Sequence, residues 1–114
     1  MPLSNIQDTI FTSETLTAPA NGTTIEVAVP DAFSTRNYTL FATVSSINTN
    51  VVIALEGSLD GTNWSKVIAN QTITTNGTSH YNVANHPLRY IRPIFVSESG
   101  GTAAVVTLQT SASN

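Results

Sequence analysis

Ser58-Leu59-Asp60-Gly61-Thr62-Asn63-Trp64 carries the clearest local signal in the chain. Asp-Gly readily supplies the positive φ angles that a tight hairpin connection requires. The flanks agree with a hairpin. Val51 to Gly57 is nearly continuously apolar, as a central strand or one covered on both faces would be, with Ile53 and Leu55 as expected core. Trp64 opens the returning strand, Ser65 to Ala69.

Outward from this hairpin the pattern of strand, turn and strand continues in both directions. On the N-terminal side, Asn48 to Asn50 supplies a turn. Before it, Tyr38 to Ser46 places Tyr38, Leu40, Ala42 and Val44 on one face and Thr39, Phe41 and Thr43 on the other. Further back, Ile25, Val27 and Val29 alternate with polar or small residues until Pro30 and Asp31 stop the run. On the C-terminal side a Thr-rich strand around Thr72 to Thr75 turns at Asn76-Gly77 into Ser79 to Val83, which His86-Pro87 ends. Tyr90 to Ser97 and Ala103 to Thr110 read as a second hairpin, joined by Ser99-Gly100-Gly101. With a strand around Thr9 to Thr17, this makes about eight short strands. That predicts an all-β fold, an antiparallel β-sandwich that is Ig-like or jelly-roll-like. Residues 21–114 form the predicted sandwich domain, and residues 1–20 are either an arm or its first strand. Neither an internal repeat nor a long linker interrupts the chain.

Composition agrees and narrows the function. The 114 residues carry only 10% charged side chains against 40% hydrophobic ones, where an average soluble protein has about 25% charge. Thr, Ser and Asn fill the difference, a mixture suited to pleated strands and tight turns. The net charge of -3, with four Lys and Arg, offers no electrostatic footprint for nucleic acid. There is no cysteine, so neither disulfides nor thiolate metal sites contribute. The N-terminus lacks the basic stretch and apolar core of a signal peptide, and Val51 to Leu55 is too short to span a bilayer. The expectation is a protein made in the cytoplasm, with no membrane partner; release by lysis would still let it end outside the cell, for instance on a particle.

Catalysis needs converging titratable groups, and the candidates are few. His80 and His86 are separated by a strand end and a proline with no third ligand at a recognisable spacing, so surface histidine is the better reading. Glu56, Asp60 and Asn63 lack the alternating acidic pattern of a calcium loop, and Asp60 reads as a turn former. Nothing resembles a nucleophile elbow. The chain therefore reads as no enzyme, with no metal and no cofactor. Five Asn-x-Ser/Thr sequons, at Asn21, Asn37, Asn63, Asn70 and Asn76, are those expected by chance in so Asn- and Thr-rich a chain.

Two features point to assembly. In Tyr90 to Ser97, Ile91 and Phe95 alternate with Ile94 and Val96, so both faces carry apolar groups, and Ile94 and Val96 are candidate partner contacts unless a loop covers them. The first twenty residues hold Leu3, Ile6, Ile10 and Phe11, which would suit an arm that adds to a neighbour's sheet edge or an ordinary first strand. A different reading takes Trp64, Tyr81 and Tyr90 as a sugar-stacking platform, against a role in the core or as cover for a turn.

Leu55-Glu56-Gly57-Ser58-Leu59-Asp60-Gly61-Thr62-Asn63-Trp64, then Arg89-Tyr90-Ile91-Arg92 and Ser99-Gly100-Gly101-Thr102-Ala103, resembles small β-sandwich structural proteins of tailed bacteriophages over the last two-thirds of the chain. Such proteins are capsid decoration or cement subunits and accessory tail domains. The resemblance implies a virion structural role; the expected partners are the major capsid protein or another virion protein and further copies of the chain, a trimer being one candidate for a number the sequence leaves open. The same hairpin pattern occurs in carbohydrate- or receptor-binding modules of tail fibres and bacterial surface proteins, which is the alternative function.

Overall fold

The structure is a computed structural model that describes residues 9–28 and 35–113. Nine strands run β1 (Thr9–Leu16), β2 (Ala20–Asn21), β3 (Ile25–Glu26), β4 (Arg36–Ser45), β5 (Asn50–Ser58), β6 (Trp64–Ile73), β7 (Gly77–His86), β8 (Tyr90–Ser99) and β9 (Val105–Ser113). One sheet has the order β1-β9-β4-β7. The other has β2-β8-β5-β6, with β3 also on β8, and all pairings are antiparallel.

The chain turns back beside itself only at β5–β6; every other step between neighbouring strands, apart from β2 to β3, crosses to the opposite sheet. Partners across the fold stand almost equally far along the chain from Gly61: Ser58 with Trp64, Val44 with Gly77, Leu16 with Val106. The topology is therefore one long antiparallel ribbon, tipped by the 58–64 turn and rolled up so that β4 also meets β9 and β5 also meets β8. This is the jelly-roll form of the sandwich. An immunoglobulin-like arrangement would keep consecutive strands such as the first two in one sheet.

Three sequence expectations change. Ser99-Gly100-Gly101 does not close a hairpin, because β8 and β9 lie in different sheets. Gly100 takes φ +84°, and a Cβ on it would run into Thr49. The glycines let two sheet-crossing loops touch. Asn76-Gly77 turns between sheets, and the Thr-rich segment before it is no separate strand: Thr72 and Ile73 end β6, while Thr74 and Thr75 belong to the turn. The strand expected from Ile25 is only Ile25–Glu26; Val27 drops into the core at 2% exposure, and Val29, Pro30 and Asp31 lie outside the described residues.

Pro93 sits in the central strand β8, where a missing N–H should break the ladder. It is tolerated because the partner strand is interrupted there. β2 pairs with Phe95 and Ile94 and β3 with Ile91 and Tyr90, leaving Arg92 and Pro93 opposite the gap. In that gap the Gly22 amide donates to the Pro93 carbonyl at 2.7 Å, so close that a Cβ on Gly22 would meet the proline ring. The Glu14 carboxylate on β1 accepts from the Thr23 amide at 2.8 Å, tying β1 to the same loop.

Between the sheets lies a single apolar layer. Tyr38, Leu40, Val44, Val106 and Leu108 meet Val51, Ile53, Leu55, Ile91 and Phe95, all at 2% exposure or less. Burying each such aliphatic or aromatic side chain stabilises the fold by about 1.5–3 kcal/mol. Tyr38 keeps its hydroxyl satisfied by donating to the His86 carbonyl at 3.1 Å, and burial pushes its pKa up.

Candidate interaction faces

The tip of the ribbon departs from a two-residue turn. Its connection, Leu59 to Asn63, is five residues long, and only Gly61 has positive φ. Asp60 acts through its carboxylate instead. Oδ1 accepts the amides of Asn63 and Thr62 at 2.8 Å each, and Oδ2 accepts the Asn63 side-chain amide at 2.7 Å. Ser58 Oγ accepts the Gly61 amide at 2.9 Å and donates to Asp60 at 3.1 Å. The Asn63 and Thr62 amides hold the Asp60 carboxyl well below the usual carboxylate range. With the folded value depressed, this loop's stabilisation is fully present above the unfolded Asp value of about 3.9 and fades as pH falls through the folded one. The amide shift of Asn63, followed by NMR, should titrate with a midpoint below about 3.9 and lose that transition in Asp60→Asn. A midpoint at or above the free value would contradict the geometry.

The two outer faces differ sharply. On the β2-β8-β5-β6 sheet, one cross-strand row is Trp64, Ser58 and Tyr90 and the next is Lys66, Glu56 and Arg92. The Arg92 guanidinium lies 4.0 Å from the Trp64 ring centroid and reaches Glu56 at 2.9 Å, and Lys66 approaches Glu56 at 3.8 Å. Arg89 pairs with Glu26 at 2.9 Å and lies 5.0 Å from the Tyr90 ring centroid. Charges and aromatic rings on this face are engaged with one another, each partly exposed ion pair contributing roughly 0.2–1 kcal/mol.

The outer face of β1-β9-β4-β7 carries no Asp, Glu, Lys or Arg among the described residues. Its rows read Phe11, Ser111, Thr39, Asn82; then Ser13, Gln109, Phe41, His80; then Thr15, Thr107, Thr43, Thr78. Threonine hydroxyls bridge the strands, Thr15 to Thr107 at 2.9 Å and Thr43 to Thr78 at 3.0 Å. Phe11 stands 62% exposed and Phe41 39% exposed, the latter stacked on His80 with ring centroids 5.1 Å apart. Between the two phenyl rings lies a shallow hollow of about 240 Å³ floored by Thr39, Gln109 and Ser111.

Of the proposed partner contacts, Leu3 and Ile6 lie outside the described residues. Ile10 turns inward and packs on the core, while Phe11 next to it points out. Ile94 is only 7% exposed and Val96 is half-buried, so β8 offers no open apolar patch. β8 is central rather than peripheral, flanked by β2 and β5, and its outward Ile94 is already covered. The aromatic trio also separates. Trp64 and Tyr90 flank Ser58, but Tyr81 is on the other sheet, half-buried against the core. His80 and His86 are at different points of β7, and among the described residues no three His, Cys, Asp or Glu side chains gather as a metal site would need. Sequence alternation alone places Phe41 among threonines on the more polar side of its strand. What raises it to a candidate contact is its register beside Phe11, which becomes visible only once β9 inserts between β1 and β4.

No protein-family model and no curated protein matches the chain. Among solved structures, the SPBc2 prophage-derived protein YomS is similar, with a TM-score of 0.55 and 16% identity over 95% of this chain and 97% of that one. The likeness is one of fold. A chain of the IBDV viral particle aligns with a TM-score of 0.48 and 19% identity over 95% of this chain and 32% of its own length. A tobacco streak virus coat protein aligns with a TM-score of 0.40 and 7% identity, covering 100% and 90% of the two chains.

Proposed function

We propose that this chain is a non-enzymatic structural protein of a bacteriophage virion, a decoration or cement subunit that docks on the capsid and stabilises the head. The observation that carries the reading is the uncharged outer face of the β1-β9-β4-β7 sheet, with Phe11 and Phe41 raised on it. Desolvating Thr, Ser, Asn and Gln costs far less than desolvating ions, and two protruding phenyl rings supply the apolar anchors that protein interfaces use at their centres. The opposite face, with its charges already paired, suits the solvent side. The prophage origin of YomS and the resemblance to phage sandwiches support a virion setting.

Deleting residues 1–20 would test this poorly, since Thr9–Leu16 is a full strand paired along its length with β9. The discriminating experiment is co-sedimentation of the intact chain, and of its Phe11→Glu/Phe41→Glu variant, with heads of the encoding phage that lack it. Binding by the first and not the second supports the reading. Equal binding by both, or none by either, overturns it.

A further inference from the structure

The sandwich has four strand edges open among the described residues, and three of them carry the features that discourage pairing between molecules. β1 includes Glu14 and β6 includes Lys66; β2 and β3 are two residues each, with Glu26 on β3. β7 is neither short nor charged, and its one irregularity is a bulge near its C-terminal end. It runs ten residues, Gly77–His86, without a formal charge or a proline, and β4 occupies only one side of it.

We propose that β7 is a self-association edge on which a second copy of this chain pairs, antiparallel, about a two-fold axis through Tyr81. Two backbone features bound the usable stretch. Gly77 has φ +132° and Asn85 φ +65°, the latter beside a bulge against β4, so the extended run is Thr78 to Ala84. Its midpoint is Tyr81. The axis then sets Tyr81 against its mate, His80 against Asn82 of the second copy, Ser79 against Val83, and Thr78 against Ala84. No like charges meet in this register, and an aromatic pair sits at the centre, an arrangement that favours cross-strand pairing. Tyr81 and Val83 are half-buried at the open end of the core, and an added strand would cover what they still expose.

A two-fold axis of this kind stands perpendicular to the sheet. The two uncharged faces therefore join side by side into one eight-stranded surface, with both copies' Phe11 and Phe41 facing the same way. The elementary self-contact is then a dimer. The paired stretch is only ~23 Å long at ~3.3 Å per residue. A contact of that length is short beside a standard interface of roughly 800 Å² per partner, so a weak, reversible dimer is expected.

Sedimentation equilibrium of the purified chain from about 1 μM to 1 mM, the span of weak association, should show a monomer–dimer equilibrium. Because the natural chain has no cysteine, the register is open to a clean test at exposed positions. Thr78→Cys/Ala84→Cys should form an interchain disulfide dimer under mild oxidation, while either single variant should not. Within one chain the two sites are ~20 Å apart on an extended strand, beyond any disulfide. His80→Lys/Asn82→Lys, which sets lysine against lysine across the axis, should shift the equilibrium to monomer by at least tenfold while a thermal melt shows a folded chain. A chain that stays monomeric at 1 mM overturns the proposal, as does a dimer whose double-cysteine variant fails to cross-link. Should the lysine variant not fold, the sedimentation and cross-linking arms decide alone. None of these readouts involves heads, so a failure of the docking reading leaves this one separately testable.

Discussion

Replacing Phe95 by alanine is expected to lower the unfolding free energy by about 3–5 kcal/mol, the range for deleting a fully buried aromatic ring. Phe95 is 1% exposed on β8, paired with Ile53 of β5 and Ala20 of β2, and belongs to the single layer that holds the two sheets together. Its neighbours are fixed by hydrogen-bonded strands on both sides, so the site cannot collapse to fill the gap. Domains of this size have roughly 5–15 kcal/mol in total, so the loss is a large share of the stability. Urea unfolding monitored by circular dichroism checks this, with Val96→Ala, one residue along and half-buried, as the comparison. Similar losses in the two variants would mean that the inward and outward sides of β8 are not as the register has them.

Phe11→Glu/Phe41→Glu should leave the fold intact yet weaken binding to heads by a hundredfold or more, taking about 2 kcal/mol for each truncated anchor at an interface centre. The new carboxylates add a desolvation penalty on a face that otherwise buries no ion. Both side chains stand well out of the core, at 62% and 39% exposure, so the variant should melt within a few degrees of the natural chain. The loss of the Phe41 stack on His80 is the main intramolecular cost. Matched substitutions on the opposite face, such as Lys66→Glu, should hardly change head binding. If Lys66→Glu were instead the damaging change, the docking face would have been assigned to the wrong sheet.

Much of the fold was legible before any coordinates. Strict alternation from Tyr38 to Val44 named the buried and exposed sides of β4 residue by residue, because side chains on an extended chain point to opposite faces with period two. The apolar run Val51 to Leu55 marked β5 as interior, and β5 does lie between β8 and β6. Glycine was harder to read. Ser99-Gly100-Gly101 looked like a hairpin, since a glycine needed for a tight turn and one needed for close contact with a loop fifty residues away leave the same local signature. The end of β6 was read as a separate strand, since threonine runs suit strand and turn alike.

The candidate face shows where local information ends. Phe11 stood out from the start, but Phe41, Gln109 and His80 join it only across three different strand pairings. By itself the sequence determined that the chain would form alternating strands around the Asp60-Gly61 turn, with little charge and no thiol, because those properties are set by side-chain chemistry and near-neighbour geometry. Closing the core, in contrast, rolls the ribbon into a jelly roll, fixes which strands lie at the edges, and leaves the outer face of one sheet without charge among the described residues while ion pairs line the other. Those outcomes depend on pairings between residues as distant as Thr9 and Ser113, whose register comes from closing the whole core and not from any local segment.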